Sequence, residues 1–198
     1  MITVNIPHSS IYIPKDVNFS IPDDIVQSEA LLMADFFTDE LIEDSNQIKT
    51  IKASVSRVVV DTERFVDDNQ EVAARFGMGV IYTKTHDGKK LRSVPSDEEK
   101  EQLLQKFYYP HHHKLEQSVK QNLNRYNKAL IIDLHSYPTI IDILGIKNKM
   151  APDICIGFEK YHFNSKLTNI IVDFCKKNKF SYEFNLSLIH ISEPTRPY

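Results

Sequence analysis

The sequence of 198 residues lacks the motifs of several common kinds of catalytic and binding site. It has only five glycines and no G-x-G-x-x-G or P-loop pattern, so we expect no phosphate-binding glycine-rich loop. It also has no G-x-S-x-G pattern, which argues against an α/β-hydrolase serine. Its two cysteines, Cys155 and Cys175, form neither a zinc-finger pattern nor a disulfide framework, and they suit a reducing compartment.

Excess charge and long apolar segments are lacking as well. The formal net charge is -3, so nothing favours binding to nucleic acid or to an anionic membrane. No apolar run approaches the ~20 residues of a membrane-spanning helix. The first residues, MITVNIPHSS, do not follow the basic and then apolar pattern of a signal peptide. We therefore expect a cytoplasmic protein without a nucleic-acid or membrane partner.

Short apolar runs alternate with longer amphipathic ones, which is typical of an α/β fold around a mixed or largely parallel sheet. The predicted strands are Thr3–Ile6, Thr50–Val60, Gly79–Lys84, Ala129–Leu134, Ile154–Gly157 and Ser181–Phe184. The predicted helices run from Pro22 to about Asp44, from a capping box at Ser96 and Glu99 onward with a kink at Pro110, and through Leu167–Phe174.

Two histidines directly follow predicted strands, His8 near the start of the chain and His135 after the apolar strand Ala129–Leu134. Ligands of open α/β sheets bind beyond the carboxyl ends of the strands. The two imidazoles could share a metal ion there, or they could be loop histidines near solvent. Asp133 could accept the second ring N–H of His135, or it could simply close the strand.

Asp35 is the only charged residue in the segment Ala30–Phe37. A carboxylate in apolar surroundings needs a partner, and a metal ion would serve. Alternatively, Asp35 lies with Asp39 and Glu43 on the solvated face of a helix. The sequence leaves both interpretations open.

Charged residues also cluster just after the predicted strand that ends at Val60. Arg57 and Arg64 flank this segment, and a planar guanidinium suits a carboxylate ligand. One of them could hold an anionic substrate, although surface ion pairing is the commoner fate of arginine. His111 and His112 fall on or beside the apolar face of a helix, where they would be core residues or would support a site.

Six segments, taken in order, resemble the N-formylglutamate amidohydrolase family from Ile6 to about Asn185. They are PHS at 7–9, ADFF at 34–37, SRVVVDTERF at 56–65, GMGVIYT at 77–83, YPHH at 109–112 and IIDLHSYP at 131–138. The family's fold is similar to that of zinc carboxypeptidases and aspartoacylase. The resemblance thus implies a zinc-exopeptidase-like three-layer α/β sandwich, with a mixed, largely parallel central sheet flanked by helices.

The resemblance also implies an activity. Members of the family are metal-dependent amidases of histidine degradation that cleave N-formylglutamate to glutamate and formate. By this likeness His8, His135 and Asp35 would hold zinc or another divalent metal. Arg64 matches the substrate-binding arginine of the Asp-x-Asn-Arg motif of aspartoacylase-like enzymes, Arg57 would assist it, and His112 would contact substrate.

One position departs from the motif, because Glu63 stands where asparagine is expected. The substrate, a small acylated amino acid, therefore need not be N-formylglutamate itself. Glu63 and Asp133 are the candidates in this chain for the carboxylate that moves the proton. The alternatives are a non-catalytic remnant that binds a metal or an amino acid, and a zinc amidase or peptidase for another acylated amino acid or short peptide.

The last residues do not resemble the family. Family members usually continue with a further strand and a glutamate that would be the general base. We therefore expect an incomplete domain over residues 1–186 and a non-native tail, SLIHISEPTRPY, over residues 187–198. That tail looks like translated sequencing-adapter sequence. We expect it to pack poorly and to leave the chain poorly soluble and nearly inactive.

Overall fold

The computed structural model describes residues 1–137, 140–143, 146–158, 162 and 164–185. They divide into two units, residues 1–136 and the described residues from 137 onward. Among the described residues, no helix combines the length and the apolar character needed to cross a membrane. The predicted tail at 187–198 lies outside the described residues.

The first unit contains three strands and three α-helices in βαβ order. The strands are β1 (Ile2–Ile6), β2 (Ile48–Lys52) and β3 (Leu130–Asp133). The helices are α1 (Asp23–Leu32), α2 (Asp97–Leu103) and α3 (Tyr109–Tyr126), with 3₁₀ turns at Thr38–Glu40 and Val72–Phe76 and a π-helical segment at Leu104–Tyr108 between α2 and α3.

The sheet of this unit is parallel and has β1 at its centre, in the order β2-β1-β3. Ile2 lies opposite Ile48 on one side and opposite Leu130 on the other. Long crossovers that carry the helices connect the strands, as parallel pairing requires. The predicted α/β class, with a parallel sheet and helices, is confirmed.

Helix α3 packs on one face of β1 through polar contacts. Thr3 Oγ1 lies 2.7 Å from Ser118 Oγ and accepts a hydrogen bond from Asn122 Nδ2 at 3.2 Å. Because side chains alternate along a strand, Thr3 and Asn5 share this face, while Val4 and Ile6 point to the other. All four are buried, so the central strand is covered on both faces.

The segment before residue 61 anchors two hydrophobic clusters. One contains Val55, Val59 and Val60 with Leu104 and Phe107 of the α2–α3 region, among others. The other contains Val58 with residues of α1 and the loops at 82 and 91. Each such side chain contributes about 1.5–3 kcal/mol when fully buried, so the two clusters fix the residues that follow.

The described residues of the second unit form four strands and one α-helix. Strands β4 (Ile140–Ile143) and β5 (Ile146–Met150) pair antiparallel, and β6 (Ile154–Ile156) and β7 (Tyr182–Phe184) pair parallel. Helix α4 (Ser165–Asn178) begins after Asn164, whose side chain accepts a hydrogen bond from Leu167 N. An Asn cap of this kind satisfies one of the open N–H groups of the first turn.

The predicted helix from Pro22 to about Asp44 is wrong in its length, because α1 ends at Leu32. The chain then turns, and Asp35 N donates to His8 O at 2.9 Å. Two residues later Phe37 adopts a left-handed φ of 62°. A hydrogen bond to a loop beyond β1 therefore takes the place of helical continuation.

Two predicted strands are also wrong. In the strand predicted at Thr50–Val60, only the residues up to Lys52 are in a strand, which starts at Ile48. Farther along the chain, Val59 N donates to Ser56 O in a turn. These β-branched residues serve burial rather than strand pairing. Gly79–Lys84 makes only isolated bridges, Met78 to Tyr82 and Lys84 to Lys90.

The capping box at Ser96 and Glu99 is confirmed, since Glu99 N donates to Ser96 Oγ and Ser96 N donates to the Glu99 carboxylate. The expected break at Pro110 takes a milder form. The helical segments stay contiguous from Asp97 to Tyr126, and the π-helical turn directly precedes α3. Proline lacks the N–H that an α-helix would use there, so the preceding turn widens.

Candidate metal centre

His8, Asp35 and His135 come together beyond the carboxyl ends of two neighbouring strands. His8 follows β1, His135 follows β3, and Asp35 lies in the turn after α1. Each of the three offers one ligand atom, and these atoms lie within 4.8 Å of one another. The parallel pairing of β1 with β3 explains why residues far apart in sequence meet here.

The distances suit a metal ion. Asp35 Oδ2 lies 3.0 Å from His135 Nδ1 and 3.7 Å from His8 Nδ1. Ligands of a tetrahedral zinc ion with bonds of ~2.0–2.1 Å stand about 3.4 Å apart, between these two values. His8 is 1% exposed, yet its Nδ1 makes no hydrogen bond to a described residue. A buried nitrogen without a partner, beside a carboxylate and a second imidazole, fits a metal ligand.

Asp35 is held in its charged form. Burial would raise the pKa of Asp35, but His135 and His8 beside it outweigh that effect and keep the pKa below its ordinary value. The sequence left open whether Asp35 lies on the solvated face of a helix or in apolar surroundings with a partner. In the structure Asp35 is buried and lies outside any helix, which excludes the solvated helix face.

Asp61 backs the second ring nitrogen of His8. Its Oδ1 lies 2.9 Å from His8 Nε2, while Oδ2 accepts from Arg57 Nη2 at 2.8 Å and from Tyr82 Oη at 3.0 Å. Burial opposes ionisation, but Arg57 and His8 hold the pKa of Asp61 well below its usual range. Burial raises the pKa of Tyr82 to about 12, so it stays a neutral donor. When His8 donates a hydrogen bond from Nε2 to Asp61, the proton is on Nε2. The other ring nitrogen, Nδ1, then carries a lone pair and lies on the side of Asp35.

The contact between Asp61 and His8 was not predicted from the sequence. The available signal was its position between two arginines at the end of an apolar segment, because a carboxylate in such a place is seldom left to solvent.

Glu63 occupies the position at His135 that was expected for Asp133. Its Oε1 and Oε2 lie 3.2 Å and 3.1 Å from His135 Nε2. Asp133 instead accepts a hydrogen bond from Asn5 Nδ2 at 2.9 Å. Strand β3 ends at Asp133, so the alternation that would align it with His135 does not continue.

Asn5 and His111 complete a polar network behind Glu63. Asn5 Nδ2 reaches Glu63 Oε1 at 3.5 Å, and Asn5 Oδ1 accepts from His111 Nε2 at 2.8 Å. Burial is the largest effect that lowers the pKa of His111, to about 4, so the ring is a neutral donor. His111 was expected to be a core or supporting residue, whereas Asn5 was missed, although a polar residue within a central strand is a usable signal.

Both predicted substrate arginines lie in ion pairs with buried acids. Arg57 contacts Asp61 at 2.8 Å. Arg64 lies farther from its partners, with Nε 3.5 Å from Asp61 Oδ2 and Nη1 3.4 Å from Glu71 Oε1. Burial opposes the charge of both, but Asp61 raises the pKa of Arg57 and Arg64 above the ordinary value.

His112 is tied to the same segment. Its Nε2 donates to Thr62 O at 2.7 Å, and its ring lies 4.4 Å from the ring of Tyr108. The structure thus links His112, Arg64 and Arg57 to the residues that back the two histidines.

Comparison with known protein families gives one match that spans nearly the whole sequence. The family model described as N-formylglutamate amidohydrolase matches residues 2–187. The chain belongs to the N-formylglutamate amidohydrolase family. The resemblance seen in the sequence motifs is therefore confirmed, and membership indicates a hydrolase of the amidohydrolase class.

Solved structures agree with this family in fold. N-formylglutamate amidohydrolase from Ralstonia eutropha JMP134 superimposes with a TM-score of 0.78 at 19% identity, covering 98% of this chain and 77% of that one. The gene product Atu2144 from Agrobacterium tumefaciens gives a TM-score of 0.66 at 14% identity, covering 96% and 74%. No curated protein sequence matches the chain.

Proposed function

We propose that the chain is a metal-dependent amidohydrolase. It would cleave an N-formyl or other N-acyl amino acid, of the N-formylglutamate kind, to formate or another acid and the free amino acid. The observation that carries the proposal is the convergence of His8, Asp35 and His135 in a member of this family, with ligand atoms within 4.8 Å of one another.

Two imidazole nitrogens and one carboxylate oxygen are a donor set that suits zinc, and other divalent metals can bind it. The metal would supply Lewis-acid activation of a water molecule and of the acyl carbonyl. Asp35 brings negative charge to the centre, and Asp61 keeps the Nδ1 lone pair of His8 available by accepting a hydrogen bond from the Nε2–H group.

Arg64 is the proposed contact for a substrate carboxylate. Its contacts of 3.4–3.5 Å are long beside the ~2.7–2.9 Å of a tight charge-assisted hydrogen bond. Asp61 keeps the pKa of Arg64 above its ordinary value, so the guanidinium carries the charge that a carboxylate ligand requires. Arg57, at 2.8 Å from Asp61, is held more tightly, so its proposed part in substrate binding is to support Asp61 beside Arg64.

His112 is the third proposed substrate residue. Its hydrogen bond to Thr62 O holds the backbone between Asp61 and Arg64. This contact supports a place for His112 at the edge of the site, where it would fix the guanidinium of Arg64 toward substrate.

The reaction needs a carboxylate that takes a proton from water and passes it to the leaving amine. Glu63 and Asp133 are the candidates proposed from the sequence. Asp133 is exposed and bonded to Asn5, whereas Glu63 is buried against His135. Asp133 is therefore the more accessible of the two to water and substrate.

The test combines metal analysis with an assay of formate release. The purified chain is stripped with a chelator, titrated with Zn²⁺, and assayed on N-formylglutamate, N-formylleucine and N-acetylglutamate. We expect about one metal ion per chain, metal-dependent formate release and a preference for the acidic substrate. Metal binding without hydrolysis of any substrate would favour a non-catalytic remnant instead. Preference for another acyl amino acid would change the substrate and keep the reaction.

A further inference from the structure

We propose that Glu63 is a positioning residue that holds the ring of His135 in the orientation needed for metal binding. The inference rests on the metal site of the proposed function. It assigns Glu63 neither to proton transfer nor to substrate contact. The carboxylate would accept the hydrogen of one ring nitrogen, so that the other nitrogen keeps its lone pair for the metal.

The two nitrogens of His135 face different carboxylates. Nε2 lies within 3.2 Å of both oxygens of Glu63, and Nδ1 lies 3.0 Å from Asp35 Oδ2. Since Nδ1 and Nε2 point away from each other across the imidazole ring, Glu63 lies behind the ring as seen from Asp35. A residue in that position orients the ligand and does not face the reacting atoms.

His8 has the same arrangement with a different carboxylate. Asp61 lies 2.9 Å from His8 Nε2, and Glu63 follows Asp61 by two residues. Glu63 N also donates to Asp61 Oδ1 at 3.0 Å, which fixes the two acids relative to each other. One short segment thus supplies a backing carboxylate to each histidine.

The surroundings of Glu63 suit a fixed partner better than a proton carrier. The residue is 9% exposed, and Asn5 Nδ2 approaches Oε1 at 3.5 Å. Asn5 is itself held by His111 and by Asp133. A carboxylate that exchanges protons with water and a leaving amine needs access to both, whereas a carboxylate that orients a ring needs rigidity.

The glutamate at position 63, where the Asp-x-Asn-Arg motif has asparagine, supports this positioning role. An asparagine at this position would offer a neutral amide, whereas glutamate adds a charge and a longer reach toward His135. A carboxylate on the second ring nitrogen raises the basicity of the coordinating nitrogen. A glutamate at this position can therefore serve the metal through His135, which a neutral asparagine amide would do less well.

The experiment measures metal binding in the full 198-residue chain and its variants. Glu63→Gln keeps the size and an acceptor oxygen, and Glu63→Ala removes the contact. Glu116→Ala is the control, because it removes an exposed glutamate of α3 that pairs with Lys120. Zn²⁺ affinity is measured by competition with a chelating dye, and the visible spectrum of bound Co²⁺ reports ligand geometry. Circular dichroism confirms that each variant is folded.

We expect Glu63→Ala to weaken Zn²⁺ binding by about 10–100-fold and to change the Co²⁺ spectrum, with a smaller loss in Glu63→Gln. Glu116→Ala should change neither. In a His135→Ala background, Glu63→Ala should cause no further loss. If Glu63→Ala does not fold, the same criteria apply to Glu63→Gln.

Four results would overturn the inference. Unchanged metal affinity and spectrum with a fall in kcat would make Glu63 the proton acceptor, and the same metal properties with a raised KM would make it a substrate contact. An equal loss in the His135→Ala background would show that Glu63 acts on the metal without His135. Failure of the unsubstituted chain to bind metal would overturn the proposed function as well, and so is distinguishable from the other three.

Discussion

The two histidines of the candidate metal centre occupy different environments. His8 is 1% exposed and is backed by Asp61, which is fully buried and bonded to Arg57 and Tyr82. The His135 side chain is 23% exposed, and its backing acid, Glu63, has an amide and two imidazoles as its polar neighbours. The histidine of one half is thus part of the core, whereas the histidine of the other half is partly exposed to solvent.

This difference predicts that substitutions in the two halves of the site affect different properties. Groups around His8 should affect folding strongly, because their loss leaves buried charges without partners. Groups around His135 should affect mainly the affinity for metal, because water can replace part of what is removed. Each of the following predictions tests one side against the other.

The largest effect is expected for Asp61→Ala. Removal of this carboxylate leaves the buried guanidinium of Arg57 without its tight partner and His8 Nε2 without an acceptor. Loss of one partner from a buried pair costs about 3–5 kcal/mol of unfolding free energy. Urea unfolding of the metal-free chain measures it, with Asp133→Asn as the control. A cost near that of the control would contradict the buried, charged state assigned to Asp61.

The next comparison is His8→Ala against His135→Ala. Both variants should bind Zn²⁺ far more weakly than the unsubstituted chain. In the metal-free chain, His8→Ala should cost about 2–4 kcal/mol, because it opens a cavity and leaves Asp61 short of a donor. His135→Ala should cost about 1–2 kcal/mol, since water reaches the space. Equal unfolding free energies for the two variants would remove the distinction between the halves.

Acid should act on the His135 half through His111. Its pKa is lowered to about 4 by burial, compared with about 6.5 in the unfolded chain. The unfolded state therefore binds more protons between these values, so this contribution to stability falls as pH drops from about 6.5 to 4. The loss should be on the order of 2–3 kcal/mol. Unfolding free energies across this range measure it. His111→Gln, which keeps a donor for Asn5 but does not titrate there, should show a flatter profile; an unchanged profile would refute the assignment.

Arg64→Ala is expected to act mainly on substrate binding. The metal content should be retained, while kcat/KM for acidic N-formyl amino acids should fall by the equivalent of about 1.5–3 kcal/mol, the value of a charge-assisted hydrogen bond. Activity on N-formylleucine provides the control within the same variant. A parallel fall for the neutral substrate would show that Arg64 supports the fold or the metal centre, not the substrate carboxylate.

Local signals in the sequence predicted the elements whose causes are local. The capping box at Ser96 and the strands that end before His8 and His135 follow from neighbouring residues. Parallel pairing then brought the two histidines together, as the α/β pattern suggested.

Features that depend on distant contacts were not predicted. The end of α1 is followed by a hydrogen bond from Asp35 N to His8 O, between residues in different elements. The contact of Asp61 with His8 spans 53 residues and that of Asn5 with Asp133 spans 128. The hydrophobic periodicity of a sequence indicates local structure, and it does not indicate contacts between residues so far apart along the chain. The valines before Asp61 gave a strand pattern because β-branched residues suit strands and buried loops alike.

The central position of β1 has a consequence for synthesis on the ribosome. The strand β1 is translated before both of its partners, and Asp133 of β3, which pairs with Asn5, lies 128 residues later. At about 5–20 residues per second, β1 waits on the order of 6–26 s before β3 exists. Until then one edge of β1 is unpaired, and unpaired edges promote association between chains. During this time the polar side chains of Thr3 and Asn5 make one face of β1 less apolar. The metal centre cannot be complete before His135 has left the ribosome.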